Sequence, residues 1–312
     1  MWQPSASINI LKLRDKLNRK IRQFFYDRGY WEVETPYMSQ TGVTDIHLAN
    51  IKAFFRAKEY FLQTSPEYHM KRLLASGSGS IFQITRVFRD DEFGKWHNPE
   101  FTLLEWYKLD EDIWFIIKEI ELLFQFLGDV PAFQYLSYQQ AFIKYCGFDP
   151  FNVTHADLFS LAARHGLDNV LEHDEGRDQY FHLFMAMVVE PTLKKNSAPV
   201  VIYDFPASQA SLAKIKGDCA QRFEIYWQGV ELANGFHELT DAKLQVERFR
   251  ADNSSREALN LPLVAIDERL LGAMEHGLPE CSGVALGLDR LYALLLKQEK
   301  LADVISFSHE RS

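Results

Sequence analysis

Cysteine is scarce in this chain: three in 312 residues, Cys146, Cys219 and Cys281, with no CxxC pair among them. An odd, scattered set excludes a disulfide framework and a cysteine-built zinc site, and it reads as reduced thiols of a cytoplasmic protein. Long hydrophobic runs are missing as well. Residues 1–20 are interrupted by Lys12, Arg14, Asp15 and Lys16, so no signal-peptide core is expected there. No stretch approaches the roughly 20 apolar residues of a spanning helix, and no membrane partner is expected. Positive charge is in deficit, with 34 Lys and Arg against 43 Asp and Glu and a formal net charge of −9. Phosphate backbones are bound through clustered positive charge, so this balance disfavours a nucleic acid as the main partner. Repeats, low-complexity tracts and Pro/Gly/Ser linkers are absent too, which points to one continuous domain over residues 1–312.

Apolar residues are plentiful, at 47% with 14% aromatic, enough to build a deep core. Ile10, Leu13, Leu17, Ile21 and Phe24 fall at helical spacing, with Ser7 as a cap and Gly29 as a stop. An alternating strand over 31–36 ends at a proline, and 66–75 reads as a helix with Pro66 at its start. Segments 81–88 and 101–107 read as strands around a polar loop, 89–100. A strongly amphipathic helix carries Ile113, Ile116, Ile117, Ile120, Leu123, Phe124 and Leu127. Further on, helices are expected over 157–165, 179–193 and 241–251, and strands over 199–205, 222–227 and 230–235. Residues 283–296 read as strand, turn and helix. Strands and helices do not alternate regularly, so the fold class is α+β on an antiparallel sheet flanked by helices.

Three constellations carry chemistry. On the strand after the polar loop, Phe101, Leu103, Glu105 and Tyr107 share one face. A ring, a carboxylate and a phenol on one face suit a flat base and a cationic substrate, although a charged hairpin over a half-buried sheet fits the same residues. Glu224, Glu231 and Glu238 stand seven apart, in a segment that includes Asn234. Clustered carboxylates repel one another unless a cation or an ammonium joins them. Gln228-Gly229 forms a turn between them, so spacing alone leaves open whether the three converge or line a solvated face. In GVALGLDRL, residues 283–291, small residues at alternate positions leave one strand face bare for a close ligand. Arg290 then falls at a helix start, suited to meeting an anion.

These blocks resemble, in order, the three motifs of the class II aminoacyl-tRNA synthetases. GYWEVETP (29–36) resembles motif 1, FRDD (88–91) with HNPEFTLLEWY (97–107) resembles motif 2 of the lysyl type, and GVALGLDRL resembles motif 3. RFEIYWQGVELANGFHEL (222–239) is similar to the lysyl pattern as well. The resemblance implies the class II catalytic core, with an antiparallel six-stranded sheet, and a homodimer joined through motif 1. Motif 1 begins too early for the OB-fold anticodon domain of lysyl-tRNA synthetases. With YDFPASQASLA (203–213), this resembles the freestanding lysyl-type paralogues, the elongation factor P–lysine ligases. That family implies ATP and Mg2+, (R)-β-lysine as substrate and elongation factor P as the protein acceptor.

The roles implied by the resemblance fall on matching positions. Arg89 and Arg290 would clamp the α- and γ-phosphates and act as the catalytic cations. Asp90, Asp91, His97, Asn98, Phe101, Glu231, Leu232 and Gly287 would complete the ATP site, with Phe101 stacked on adenine. Glu224 and Glu231 would hold Mg2+. Glu105, Tyr107 and Glu238 would grip the distal amine, and Ser65, Pro66 and Glu67 would face the amine nearer the carboxylate. Ala285 replaces a glycine common in lysyl-tRNA synthetases, as it does in the paralogues. Asp91 stands where the motif usually has Glu, with Glu92 behind it. The competing readings are a lysyl-type enzyme that charges tRNA, a freestanding ligase making a free amino acid, and an inactive regulatory subunit.

Overall fold

The computed structural model describes residues 2–90, 93–171 and 176–312. Two compact units emerge, one of Met1–Asp129 with Glu238–Ser312 and one of Val130–His237.

The first unit opens with α1 (Ile8–Tyr26), whose N-cap Ser7 accepts the Ile10 N–H. Of its expected stripe Leu17, Ile21 and Phe24 are buried, joined by Phe25, whereas Leu13 is exposed and Ile10 half-buried. Of the strand expected over 31–36, only β1 (Trp31–Glu32) is ladder-paired. A separate antiparallel sheet then forms from β2 (Met38–Ser39), β3 (Lys52–Phe55) and β4 (Lys58–Leu62), in the order β2-β4-β3. Nothing in the sequence announced it. Its hairpin turns through Arg56 and Ala57 at φ 49° and 60°, where glycine or asparagine would have been the signal.

α2 (Glu67–Ala75) starts from Pro66, as expected. β5 (Ile81–Phe88) and β6 (Glu100–Leu109) pair antiparallel, with Gln83 opposite Glu105 and Val87 opposite Phe101. β1 lies parallel against β5. α3 (Ile113–Leu127), capped by Asp112, buries Ile116, Ile117, Ile120, Leu123 and Phe124. One face of the β5–β6 pair is the core: Phe82 stacks on Phe25 at 4.8 Å, and the Trp106 indole donates to buried Glu119 at 2.9 Å. Strand alternation therefore turns Phe101, Glu105 and Tyr107 to the opposite face.

In the second unit, β7 (Gln134–Ser137) leads into α4 (Tyr138–Cys146) through a capping box of Ser137 and Gln140. α5 (His155–Arg164) follows. α6 (Arg177–Phe184) continues through a π-helical turn, Met185–Val189, into α7 (Glu190–Leu193). The helix expected over 179–193 is present, and its wider turn lies next to Pro191, which has no N–H to bond back along the helix. An aromatic core of Tyr138, Phe142, Phe181 and Phe184 holds these helices on the strands, with Tyr138 and Phe142 stacked at 4.4 Å. β8 (Val200–Pro206), β9 (Ile215–Lys216) and β11 (Val230–His237) each pair antiparallel with β10 (Cys219–Trp227), and β7 lies parallel to β8.

The chain returns to the first unit with α8 (Ala242–Ala258), which runs past its expected end at residue 251, and α9 (Glu268–Gly277). β12 (Cys281–Gly287) pairs antiparallel with β6 and leads into α10 (Leu288–Leu295). The six-stranded, wholly antiparallel sheet is corrected. Among the described residues, nine strands form the principal ladders: β1, β5, β6 and β12 in one unit, β7 to β11 in the other. The β1–β5 and β7–β8 pairings are parallel. β1, β7 and β9 are two to four residues long, too short for alternation to show in a sequence.

Candidate active site

The site face of the first unit is built by register. Gly283, Ala285 and Gly287 of β12 stand opposite Tyr107, Glu105 and Leu103 of β6. At Gly283 a Cβ would lie 2.7 Å from Glu238 Oε1 and collide with the Tyr107 ring, so only glycine lets these side chains approach the strand. The bare face read from the sequence is thus a seat for Tyr107 and Glu238.

Glu105 is buried, and both its oxygens accept hydrogen bonds, from Ser65 Oγ at 2.6 Å and Tyr107 Oη at 2.8 Å. Ser65 Oγ also accepts the Glu67 N–H at 3.0 Å, tying the start of α2, with Pro66, to β6. Glu238 is buried beside them. Lys71 Nζ lies 2.7 Å from Glu238 Oε2 and 2.5 Å from Glu67 Oε1. Sequence reasoning passed over Lys71, although its place four residues after Glu67 on a helix was the available signal. Burial, then Glu67 and Glu238, push the Glu105 carboxyl up to about 8 against the pull of Ser65 and Tyr107. Burial raises Glu238 to about 7, with Lys71 opposing and Glu67 adding. Ser65, Glu67, Glu105, Tyr107 and Glu238 therefore meet in one pocket beside Ala285. Clustered carboxylates of this kind suit a cationic partner.

The phosphate-type residues line the same unit. Arg89 follows β5, and its guanidinium lies 5.1 Å over the Phe101 ring. Arg290 Nε donates to the Trp96 carbonyl at 3.0 Å, so this cation sits against the loop that begins with Arg89. Asp289 sets that arrangement. Its carboxylate takes the Thr102 N–H at 2.8 Å and pairs with Arg14 at 2.5 Å, while Arg14 also donates to Thr102 Oγ1. α10, β6 and α1 are thereby pinned where Arg290 emerges, a role the sequence did not assign to Asp289. Gly287 caps α10. Within the loop, His97 and Gly94 bond through their backbones. The Asn98 side chain donates to the Glu100 carbonyl at 2.6 Å and accepts the His309 N–H at 3.0 Å. Asn98 therefore holds the loop to the C-terminal turn. The Asp90 N–H bonds the Ala49 carbonyl, and Asp91 lies outside the described residues, as does Glu92.

In the second unit, β10 and β11 turn through Gln228 and Gly229, at φ 52° and 75°. Glu224 stands opposite Asn234, and Tyr226 opposite Glu231. Residues 231 and 234 are an odd number apart and would face opposite ways in a regular strand. A bulge at this point restores them to one face, and buried Leu232 sits within it. Glu224 is fixed by Arg222 at 2.5 Å and by the Tyr226 hydroxyl at 2.5 Å, and the Arg222 guanidinium feels both Glu224 and Glu231. Asn234 Oδ1 is buried with no hydrogen-bond partner. Two carboxylates and an unpartnered amide oxygen on one ribbon face suit a hard cation. An octahedral ion would need further ligands from phosphate and water. Glu224 and Glu231 thus share a face, whereas the third member of the sequence ladder, Glu238, belongs to the other unit and its ammonium-type pocket.

Residues 3–311 match the family model of the tRNA synthetases class II (D, K and N). The chain belongs to that family. Its α+β fold is the class II synthetase catalytic type, and family membership makes it an ATP-dependent ligase that activates an amino acid, chemistry for which class II synthetases use ATP and Mg2+. Among the described residues, no helix is long and apolar enough to cross a membrane.

Proposed function

We propose that this class II synthetase activates a lysine-type diamino acid, (R)-β-lysine, and transfers it to the ε-amino group of a lysine of elongation factor P. One observation carries the substrate half: two buried carboxylates, Glu105 and Glu238, and the half-buried Glu67 converge beside Tyr107 and Ser65. Burying like charges together is costly unless cations join them. Ala285, where lysyl-tRNA synthetases commonly have glycine, supports the β-amino isomer. A net charge of −9 supports a protein acceptor over tRNA.

In the first step a carboxylate oxygen of the amino acid attacks the ATP α-phosphorus, and the bond to pyrophosphate breaks. Two anions must meet. Arg89 meets the charge growing at the α-phosphate and Arg290 the charge on the leaving group, and a preorganised donor of this kind contributes about 3–4 kcal/mol. Phe101 offers a flat face to the adenine. The cation held at Glu224 and Glu231 would supply neutralisation of pyrophosphate charge. In the second step the acceptor amine attacks the activated carbonyl carbon and AMP leaves. A lysine amine has a pKa of about 10.4, so the acceptor must shed a proton to react.

The family description favours a second acceptor, tRNA. One experiment addresses both halves: ATP–pyrophosphate exchange across an amino-acid panel, then transfer of the labelled amino acid to elongation factor P and to tRNA. Exchange strongest with (R)-β-lysine and label on the protein is the expected result. Label on tRNA alone would transfer the conclusion to the second reading, and no exchange with any lysine isomer would overturn the lysine pocket.

A further inference from the structure

The ammonium-type pocket contains a cation of its own. Lys71 is 3% exposed, and its Nζ is held between Glu67 and Glu238 at 2.5 and 2.7 Å. Glu105 completes the group but receives only the neutral donors Ser65 and Tyr107. Around Lys71 the titratable groups are thus Glu67 from α2, Glu105 and Tyr107 from β6, and Glu238 beyond β11.

We infer that Lys71 is a positioning and specificity-setting residue: its fixed ammonium orients Glu67 and Glu238 and leaves the three carboxylates together a formal charge of −2, the complement of a substrate with two ammonium groups. This inference rests on the lysine-type reading of the pocket. A diamino acid neutralises the group while its own carboxylate is left for the ATP phosphate. An amino acid with one ammonium leaves one buried carboxylate uncompensated, which must then keep a proton. Lys71 thereby acts on selectivity without touching the reacting atoms. The raised carboxyls agree with this picture, since Glu105 and Glu238 hold a proton near neutrality until a cation displaces it.

The test compares wild type with Lys71→Met and Lys71→Arg in ATP–pyrophosphate exchange, using (R)-β-lysine, L-lysine and 6-aminohexanoate across pH 6 to 9. Wild type should improve in kcat/KM for the diamino acids as pH rises through about 7 to 8. In Lys71→Met the KM for diamino acids should rise at least about tenfold with little change in kcat, and the alkaline rise should move up by about one pH unit. Lys71→Arg keeps the charge and should return the pH profile toward that of wild type, a rescue that a merely structural lysine would not give. Should Lys71→Met fail to fold, calorimetry of wild type in two buffers of different ionisation heat reads the same property. Proton release on binding (R)-β-lysine should exceed that on binding 6-aminohexanoate. A folded Lys71→Met with wild-type KM and pH profile, or equal proton release for both ligands, would overturn the role of Lys71. Wild type inactive with every lysine isomer would instead sink the lysine reading beneath it.

Discussion

Among the described residues, two acidic clusters are each built around one largely buried cation, and they are wired in opposite ways. On the β10–β11 ribbon, Arg222 and Tyr226 both donate to Glu224, fixing that carboxylate in one orientation. Beside β6, a single ammonium serves Glu67 and Glu238, while Glu105 has only neutral donors and is pushed up to about 8. The first arrangement holds a carboxylate in one orientation, the geometry that the proposed hard-cation role asks for. The second leaves a deficit of positive charge that a ligand must supply. Both clusters read as Glu-rich segments in the sequence. The number and kind of donors facing each carboxylate separate the ribbon cluster from the one beside β6.

The largest expected effect breaks the ribbon side of this contrast. Glu231→Gln should lower kcat of exchange by about 10²- to 10³-fold, leave the KM for the amino acid nearly unchanged, and be partly relieved by raised Mg2+. A rise in amino-acid KM with normal kcat would mean that Glu231 belongs to the substrate and not to the cation. On the pocket side, Glu105→Gln should raise the KM for a diamino acid by about 10- to 100-fold, the worth of a hydrogen bond to a charged group. It also carries a stability signature with a definite sign. The folded value of about 8 exceeds the unfolded value of roughly 4.3, so the folded state binds the proton more tightly. That stability is fully present below about pH 4.3 and is lost as pH rises through about 8. Thermal unfolding of Glu105→Gln should therefore match wild type near pH 4 and lie above it at pH 8. Equal Tm shifts at both pH values would remove the charge from the argument.

How much of this was legible in the sequence depended on the range of the interaction. Local periodicity carried α1, α3 and the β5–β6 pair, and the turn at Gln228-Gly229 fixed the ribbon. The alternation of Phe101, Glu105 and Tyr107 placed these three groups on one face of β6, opposite the core. What stayed hidden was register. A seven-residue spacing could not say that a bulge would put Glu231 on the face of Glu224, or that Glu238 would fall in the other cluster. Lys71 and Asp289 were hidden for a related reason, since each acts through partners far away in sequence, at Glu238 and at Arg14 and Thr102. The small β2–β4 sheet lacked turn glycines, and the shortest ladder strands lacked length.

Gly283 sharpens the comparison at the floor of the cluster beside β6. Gly283→Ala would drive a methyl into Tyr107 and toward Glu238 Oε1, 2.7 Å away. Overpacking of this kind costs about 1–3 kcal/mol. The loss should appear as a lower Tm together with a higher KM for diamino acids. A variant that loses Tm alone would show that Tyr107 and Glu238 can shift without disturbing the substrate.

The smallest effect tests how finely the pocket is shaped and not whether it is charged. Ala285 stands directly opposite Glu105, and cross-strand Cβ atoms lie about 4.5–5.5 Å apart. One methyl group in a pocket wall is worth about 1–3 kcal/mol of discrimination. The two lysine isomers share a distal amine and differ in whether the α-carbon or the β-carbon carries the other amine. Ser65, assigned to the differing amine, bonds Glu105 at 2.6 Å, so a methyl beside Glu105 can sort the isomers without altering the charge count, which both satisfy equally. Ala285→Gly restores the residue common in lysyl-tRNA synthetases. The ratio of kcat/KM for L-lysine over (R)-β-lysine should rise about tenfold, while the pH profile set by Lys71, Glu105 and Glu238 stays in place. A shift of that pH profile in Ala285→Gly would mean that shape and charge in this pocket are not separable. An unchanged isomer ratio would move the source of isomer selection to the Ser65–Glu67 side.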